Sequence, residues 1–568
     1  ATNLSGNYNI SIGGNSSGQL EEGARNVVVG QSAFYNAVED ARNVAIGYTA
    51  LYNQDYRQGS DDNTAVSTYN TAVGYSAGFD VTTGHQNTLV GGLAGENITE
   101  GKNNVVVGYN AFGAATTIDA AVAIGVGALD AANHVYADGT VAIGRDALND
   151  YNPSSGTANQ AAMTAVGFYS LSKAENGASS NTALGYYTFQ SLTTASDGVA
   201  IGSQCLKNVT SNQGNVGVGS AAGQQLIADG SDATRGVNNV FIGHTAGQFV
   251  QKSSYSVFIG TNAGTSTSSS SNHLDGDKNT CIGYNSGNDL ITTACENTFL
   301  GAQSADSVTT GKKNVAIGYD AFGVAQDVDN CVAIGHSALD ACNSSDADGT
   351  VAVGYYALSE NTSGQYNTAL GYHALKDNVD GDGNVAIGYK ALLDMTGGNG
   401  GNTMVGYIAG EEITTGAYNT GVGYGAVGGA GATDNPLTGS GNTAVGYAAG
   451  YKLEGNGYGN TFMGKNCGYY TAEGHSNIAI GQSAFQTAGT TNDIDKVIAI
   501  GVEALFTSDD AHVDGSIAIG YRALKANTVG RYNLAIGMDA LYTNVDGDGN
   551  TAVGYQSLQT FDADTDGH

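Results

Sequence analysis

The chain has no tryptophan, and its 568 residues include only two prolines, Pro153 and Pro436. Proline lacks the backbone N–H that a strand ladder needs, so its scarcity permits backbone pairing with almost no interruption. The sequence also lacks any apolar run of about eighteen residues, the length of a membrane-spanning helix, so we expect no membrane insertion. Its first residues show no charged start followed by an apolar run, which we interpret as a mature or processed N-terminus.

Basic residues are scarce as well. The chain has 20 Lys and Arg residues and 52 Asp and Glu residues, which gives a formal net charge of −32 at pH 7. Nucleic acid is therefore an unsuitable partner, because phosphate binding needs a basic footprint. The charge instead predicts a soluble, self-repelling surface that tolerates cations or salt.

Glycine is abundant, with 86 residues, and many of these occur in one repeated phrase. Its clearest copy is Asn-Thr-Ala-Val-Gly-Tyr-Ala-Ala-Gly at 442–450, and thirty copies align on a glycine between Gly13 and Gly554. The residue before this repeat glycine is aliphatic or Met in all thirty copies. The third residue after it is always small, and the fourth residue before it is Asn in twenty-one copies. Such a constant register indicates a repeat architecture.

The spacing of the copies indicates which repeat it is. Sixteen of the twenty-nine intervals are 17 residues and none is shorter, while the longer intervals place their extra residues at one corner. The unit is too short for repeats made of helical pairs, and the alternating Val-Ala-Ile phrase is typical of strands. We therefore predict an all-β fold, a parallel β-solenoid (β-roll or β-helix) with one coil per repeat. It would form a single continuous rod over residues 1–568, about 140 Å long at the spacing of stacked strands.

The repeat also suggests an inside and an outside. We expect the Ile and Val row to lie in the interior, with the Ala and Gly row on the opposite, closely approached face. The Asn row is expected either to form a ladder of side-chain amides or to act as a simple turn former.

Blocks of several coils are duplicated, with starts near residues 101, 311 and 474. Cys331 and Cys342 replace Ala121 and Ala132 of the first block, and both changes occur in the same copy. This joint change predicts a structural disulfide between Cys331 and Cys342, typical of an oxidising, extracellular setting. The alternative is two independent small thiols in the interior.

The sequence contains no arrangement of nucleophile, base and acid that stands clear of the repeat, so we do not expect an enzyme. No cofactor is required by any motif, and a calcium ion is the one candidate ligand. Alternating Asp and Gly residues resemble the first half of calcium loops, although the distal Glu is absent and solvated acidic turns are the alternative. The candidate calcium ligands are Asp380, Asp382, Asp546, Asp548, Asp562, Asp564 and Asp566.

Fourteen copies have Tyr directly after the repeat glycine. Stacked coils would place these residues in an aromatic ladder that could stack on sugar rings or pack against a neighbouring chain. The alternative is a ladder that only stiffens the solenoid. The examples we select are Tyr48, Tyr75, Tyr319, Tyr389 and Tyr555.

The phrase Asn-Val-Ala-Ile-Gly-Tyr-Asp-Ala at 314–321 resembles the head repeats of trimeric autotransporter adhesins, the YadA-like family, and repeats of bacteriophage tail fibres and secreted bacterial surface proteins. The resemblance implies a β-roll whose chains associate in threes by their aliphatic rows, located outside the cell, on its surface or on a virion. We therefore expect a structural extracellular fibre, a filament subunit or virion fibre, with itself as partner in a trimer or head-to-tail filament. The alternative is a surface adhesin or carbohydrate-binding fibre that contacts glycans or a host surface through Tyr, Thr and Asn ladders or corner loops.

Overall fold

The computed structural model describes residues 6–56, 65–133, 135–151, 162–175, 177–227, 235–266, 273–344, 347–428, 435–486, 493–507 and 513–561. The chain divides into two compact units, Ala1–Ala294 and Cys295–His568. Each unit is a stack of coils, and each coil contributes one three-residue strand that ends just before a repeat glycine. The single continuous rod over residues 1–568 stays a prediction.

The first unit contains seventeen strands and one short 3-10 helix, Val135–Ala137, within its described residues. Its strands are β1 (Ile10–Ile12), β2 (Val27–Val29), β3 (Asp40–Ala41), β4 (Val44–Ile46), β5 (Val66–Ser67), β6 (Thr71–Val73), β7 (Thr88–Val90), β8 (Val105–Val107), β9 (Val122–Ile124), β10 (Val141–Ile143), β11 (Thr164–Val166), β12 (Thr182–Leu184), β13 (Val199–Ile201), β14 (Val216–Val218), β15 (Val240–Ile242), β16 (Val257–Ile259) and β17 (Thr280–Ile282).

The second unit contains fifteen strands in its described residues. They are β18 (Thr298–Leu300), β19 (Val315–Ile317), β20 (Val332–Ile334), β21 (Val351–Val353), β22 (Thr368–Leu370), β23 (Val385–Ile387), β24 (Thr403–Val405), β25 (Thr420–Val422), β26 (Thr443–Val445), β27 (Thr461–Met463), β28 (Ile478–Ile480), β29 (Ile498–Ile500), β30 (Ile517–Ile519), β31 (Leu534–Ile536) and β32 (Thr551–Val553).

Strands of successive coils pair in parallel without any shift in register. In β19 and β20, for example, Val315 lies beside Val332 and Ile317 beside Ile334. The two strands that are not part of this repeat, β3 and β5, pair with each other in a separate small sheet. The prediction of an all-β parallel solenoid with one coil per repeat is confirmed.

The repeat glycine is required for two reasons. Gly47 has a φ of 141°, a conformation that side chains rarely adopt. A Cβ atom at this position would also overlap the carbonyl oxygen of Gly74 in the next coil. Because the same overlap recurs between successive coils along each unit, the glycine sets how closely the coils can stack.

The prediction that the Ile and Val row lies in the interior is wrong. After the first strand, the central residue of each repeat strand is buried and is most often Ala; Ala316, for example, is completely buried, whereas the flanking Val315 and Ile317 are only half-buried. The interior of a 17-residue coil is narrow, so the small Ala row faces inward and the larger Ile and Val row faces outward. Neighbouring side chains of a strand point to opposite faces, so a central Ala that points inward leaves the residues on both sides of it pointing outward.

The rest of the interior comes from the turn that follows each strand. The third residue after the repeat glycine is a buried small side chain, and the fourth is commonly a buried Leu or Phe. In the coil of Gly47 these are Ala50 and Leu51, and Leu51 has a φ of 50°. The left-handed backbone costs about 1 kcal/mol, and burial of the Leu side chain, worth about 2 kcal/mol, offsets it.

The Asn row forms a buried ladder, as one of the two interpretations predicts. Its amide oxygens accept hydrogen bonds from backbone N–H groups of the next coil, and its amide nitrogens donate to carbonyls of that coil. In the coil of Gly388, the Asn384 Oδ1 atom accepts from the backbone N of Asn402 at 3.0 Å and from its Nδ2 at 3.1 Å. Every such bond satisfies a polar group that the closed coil removes from water.

Candidate functional site

The most extensive candidate surface is the outer face of the sheet. We define the outer stripe as the residues three and one positions before each repeat glycine. All thirty copies place only Val, Ile, Leu, Met or Thr at these two positions, in a chain with 72 charged residues. Leu184, Leu300 and Leu370 of the stripe are 47%, 45% and 47% exposed. The stripe is therefore an accessible, uncharged and mainly apolar surface in each unit, with Thr at one of its two positions in twelve copies.

The Tyr column lies beside the outer stripe and consists of the residues directly after the repeat glycines. In the first unit, the rings of Tyr48 and Tyr75 stack with centroids 5.3 Å apart. In the second unit six consecutive coils form one stack of Tyr rings, with neighbouring centroids 4.9 to 5.3 Å apart. Its members are Tyr355, Tyr372, Tyr389, Tyr407, Tyr424 and Tyr447. The column continues through His336, whose ring is tilted by 36° to 38° against its neighbours, to Tyr319.

Stacking determines what the Tyr column can contact. Each ring face inside the stack is covered by the next ring, so only ring edges and hydroxyl groups reach solvent. Sugar rings stack on aromatic faces, and the inner members of the column offer none. This geometry favours the interpretation that the column stiffens the solenoid. Tyr555 is 68% exposed and follows Met538 in the column, so its neighbour in the preceding coil is not an aromatic ring.

The Asn ladder contributes nothing to a ligand surface, because its side chains are buried. Asn314 and Asn384, for example, have no exposed surface. Ladders of Tyr, Thr and Asn were the candidates for an adhesin surface. Because the Asn ladder is buried, the accessible candidates are the Tyr column and the Thr residues of the outer stripe.

Cys331 and Cys342 are both buried and both carry free thiols. Burial raises the pKa of Cys331 to about 12. Burial also raises the pKa of Cys342, and the neighbouring Cys331 adds to this effect. Both thiols lie in the interior, and their disulfide stays a prediction.

The candidate calcium ligands are engaged in the turns. The Asp382 Oδ1 atom accepts a hydrogen bond from the backbone N of Gln365 at 2.8 Å, and Asp548 accepts from that of Arg531 at 2.6 Å. Each joins two coils at equivalent places in a duplicated block. Asp380 is exposed, and one carboxylate oxygen of Asp546 is buried without a hydrogen-bond partner. Asp562, Asp564 and Asp566 lie outside the described residues.

Across the described ranges, no three or more His, Cys, Asp and Glu side chains are grouped so that they could hold a metal ion. The hydrogen bonds of Asp382 and Asp548 join neighbouring coils, which is an architectural role for these two residues. Calcium binding at the Asp-Gly motifs stays a prediction.

Several carboxyl groups at the turns have raised pKa values. Burial raises the pKa of Asp40 from 3.8 to about 7, and the charge of Asp55 adds to the rise. In the second unit, burial raises the pKa of Asp394 to about 6, helped by the charges of Asp377 and Glu411. The acidic residues of this chain are thus not all fully ionised near neutral pH.

No protein-family model matches the chain, and no curated protein shows a significant match to it. No helix in the part of the chain that the structure describes is long and apolar enough to cross a membrane. The resemblance to YadA-like head repeats, the absence of enzymatic activity and the extracellular location all stay predictions.

Proposed function

We propose that the chain is the subunit of a structural extracellular fibre and self-associates through its outer stripe. The observation that carries the proposal is the exposed, charge-free apolar stripe on each unit. Monomeric proteins rarely expose a contiguous apolar patch larger than about 300 to 600 Å². Depletion of charged residues is typical of the cores of protein interfaces.

A second copy of the same chain is the partner that suits this surface. The stripe repeats once per coil, at the spacing of about 4.8 Å between stacked strands. Another copy has the same repeat, so its rows of Ile and Val can pack between these rows along the whole length of a unit. The net charge of −32 lies outside the stripe, so contact buries no charge, and at about 0.1 M salt the repulsion between the two copies is screened beyond about 10 Å.

The regular repeat supports a structural role. Each coil buries its interior only against its neighbours, so adding coils adds length without requiring a new core. The duplicated blocks are consistent with lengthening of this kind. The resemblance to adhesin heads and phage fibres favours an extracellular, cell-surface or virion location and a trimer, with a head-to-tail filament as the other form of assembly.

The test uses two substitutions in one coil of the full chain. Leu370→Asp places a charge in the outer stripe, and Tyr366→Asp places the same charge at a corner site that is 67% exposed. We expect the native protein and the Tyr366 variant to have a mass in solution that is a multiple of 57.4 kDa. We expect the Leu370 variant to shift towards the mass of one chain.

Electron microscopy of the same samples identifies the form of the assembly. Discrete particles with three chains support a trimeric fibre, and continuous filaments support head-to-tail growth. A native protein that has the mass of one chain at every concentration would contradict self-association.

A further inference from the structure

The first unit has a polar groove on a surface that is separate from the outer stripe. It has a volume of about 380 Å³, within the range typical of ligand sites. Its lining comes from the sixth and eighth residues after five successive repeat glycines, Gly13 to Gly91. The lining residues are Gln19, Asn36, Asn53, Asp55, Asp80, Thr82 and Thr99.

Strand-like alternation builds the groove. The seventh residues, including Leu20, Val81 and Ile98, are buried in the interior. The residues on either side of them therefore point outward and form two polar columns, one coil above the next. The groove thus offers side chains at regular steps of about 4.8 Å along the stack of coils.

Hydrogen bonds hold the first polar column in place. The Asn36 Nδ2 atom donates to Asn53 Oδ1 at 2.8 Å, and Asn53 Nδ2 donates to Asp80 Oδ1 at 2.9 Å. An amide has two N–H groups and a carbonyl oxygen with two lone pairs, so each bond uses only part of its capacity. The column is therefore ordered before any ligand binds, which lowers the entropic cost of binding.

The second polar column presents oxygen acceptors. The Thr82 hydroxyl donates to the backbone O of Thr99 at 3.1 Å, and the Thr99 hydroxyl donates to that of Thr116 at 3.2 Å. A hydroxyl that donates its proton in this way keeps its lone pairs as acceptors. The groove thus combines amide donors with amide, carboxylate and hydroxyl acceptors.

The lining selects the chemical class of the ligand. It contains no cationic side chain, and Asp55 and Asp80 disfavour phosphate and other anions. It contains no large apolar side chain that would favour a hydrophobic ligand. Closely spaced hydroxyl groups, each able to donate and accept, match such a surface. One sugar ring of an extended chain is similar in length to one coil step.

We infer that this polar groove binds a neutral oligosaccharide that lies along the stack of coils, with successive sugar rings on successive coils. The Asn36–Asn53–Asp80 column supplies paired donors and acceptors for ring hydroxyls, and Thr82 and Thr99 supply acceptors on the other side. The inference does not depend on self-association, because the groove residues are not part of the outer stripe.

The test is calorimetric titration of the full chain with neutral β-1,4-linked glucose and α-linked mannose oligosaccharides of two to six rings, in buffer containing a calcium chelator. We expect millimolar binding that becomes tighter from two to about four rings, because each added ring reaches another coil. Asp80→Ala removes the end of the ordered column and should weaken binding by about tenfold, the effect of losing one or two hydrogen bonds.

Two further variants separate binding from folding. Gln19→Ala changes an exposed side chain and should weaken binding by about threefold without altering thermal stability. The matched control is Asn97→Ala, which lies in the same column but donates to the backbone O of Gly113 and does not line the groove. Its affinity should be unchanged.

Three results would overturn the inference. The first is the absence of heat with every saccharide at concentrations well above millimolar. The second is equal affinity for all chain lengths and all variants, which would indicate nonspecific association. The third is heat from calcium chloride alone, in buffer without chelator, that Asp80→Ala abolishes while saccharides give none, since this would make the groove a cation site.

Discussion

A Cβ atom at Gly468 would lie 2.7 Å from the Cδ1 atom of Phe462. Phe462 is the buried central residue of strand β27, and Gly468 is the fourth residue after the repeat glycine of the same coil. Half of the thirty coils have the reverse combination, a central Ala and a buried Leu or Phe at the fourth position, such as Ala535 and Leu541. Each coil thus holds at most one Leu, Met or Phe at these two positions, and either position can supply it.

The same compensation occurs wherever the central strand residue is Leu, Met or Phe. The fourth residue after the glycine is then Gly in five coils and Ala in one. The pairs are Leu89 with Gly95, Phe241 with Gly247, Phe258 with Gly264, Phe299 with Ala305, Met404 with Gly410 and Phe462 with Gly468.

This relationship predicts a strong coupling between Phe462 and Gly468. Gly468→Leu overpacks the coil and should destabilise it by about 3 kcal/mol, and Phe462→Ala leaves a cavity that costs about 3 to 5 kcal/mol. The double variant recreates the common Ala and Leu combination, so it should recover at least about 2 kcal/mol of the summed losses. Urea unfolding of the four proteins measures this coupling. If the double variant loses as much stability as the two single variants together, the two positions do not share interior volume.

Much of the fold could be predicted from the sequence, because the repeat fixes it. The glycine spacing gave the coil length, and the Val-Ala-Ile phrase gave the strand. Which face of the strand points into the interior could not be predicted in the same way. Val315, Ala316 and Ile317 are all apolar, so either face could be internal. The structure resolves this choice: Ala316 and Phe322 of the same coil are both completely buried and share the interior, which leaves the larger Val315 and Ile317 on the outer face.

The site was less predictable. The polar groove depends on which side chains lie one above another after insertions of different length, and Asp55 and Asp80 are separated by an insertion of this kind. The sequence shows that a large residue at the position of Phe462 occurs with a small residue at the position of Gly468. The structure explains this correlation, because both positions face the same interior.

Asn26 provides a test of the buried Asn ladder. Its Oδ1 atom accepts from the backbone N of Asn43 at 2.8 Å, and its Nδ2 donates to the backbone O of Asp40 at 2.8 Å. Asn26→Ala leaves both buried backbone groups without their partner, which should cost about 2 to 4 kcal/mol. Hydrogen exchange should show a large loss of protection at the Asn43 amide.

The control for Asn26 is Gln31→Ala in the same coil, at an exposed position. This change should leave exchange at Asn43 as it is in the native protein. Equal exchange in all three proteins would contradict a ladder that holds the coils together.

Asp40 predicts a pH dependence of stability in the first unit. Its pKa is raised to about 7 from 3.8 because burial disfavours the charged form. Between these two values the folded chain keeps a proton that the unfolded chain has lost. The stabilising contribution of Asp40 is therefore fully present below about pH 4 and is lost as the pH rises towards 7.

The substitution Asp40→Asn tests this dependence. An Asn oxygen can still accept from Gln54 Nε2 and the backbone N of Tyr56, both 3.3 Å from Asp40 Oδ1. Other raised carboxyl groups also contribute to the pH profile, so the difference between variant and native protein is the quantity to measure. Thermal unfolding should show the variant gaining stability over the native protein as the pH rises from 4 to 7. A constant difference over this range would contradict the protonated Asp40.

The pair Ala316 and Ile317 tests the orientation of the strand. Ala316 is completely buried, so Ala316→Asp places an unpaired charge in the interior and should destabilise the coil by more than about 3 kcal/mol. Ile317 is half-buried on the outer stripe, so Ile317→Asp should cost a single chain about 1 kcal/mol or less. Thermal unfolding is compared at concentrations where each protein has the mass of one chain, because assembly would add its own stability. Equal losses for the two variants, or a larger loss for Ile317→Asp, would place the aliphatic row inside the coil and reverse the orientation on which the outer stripe depends.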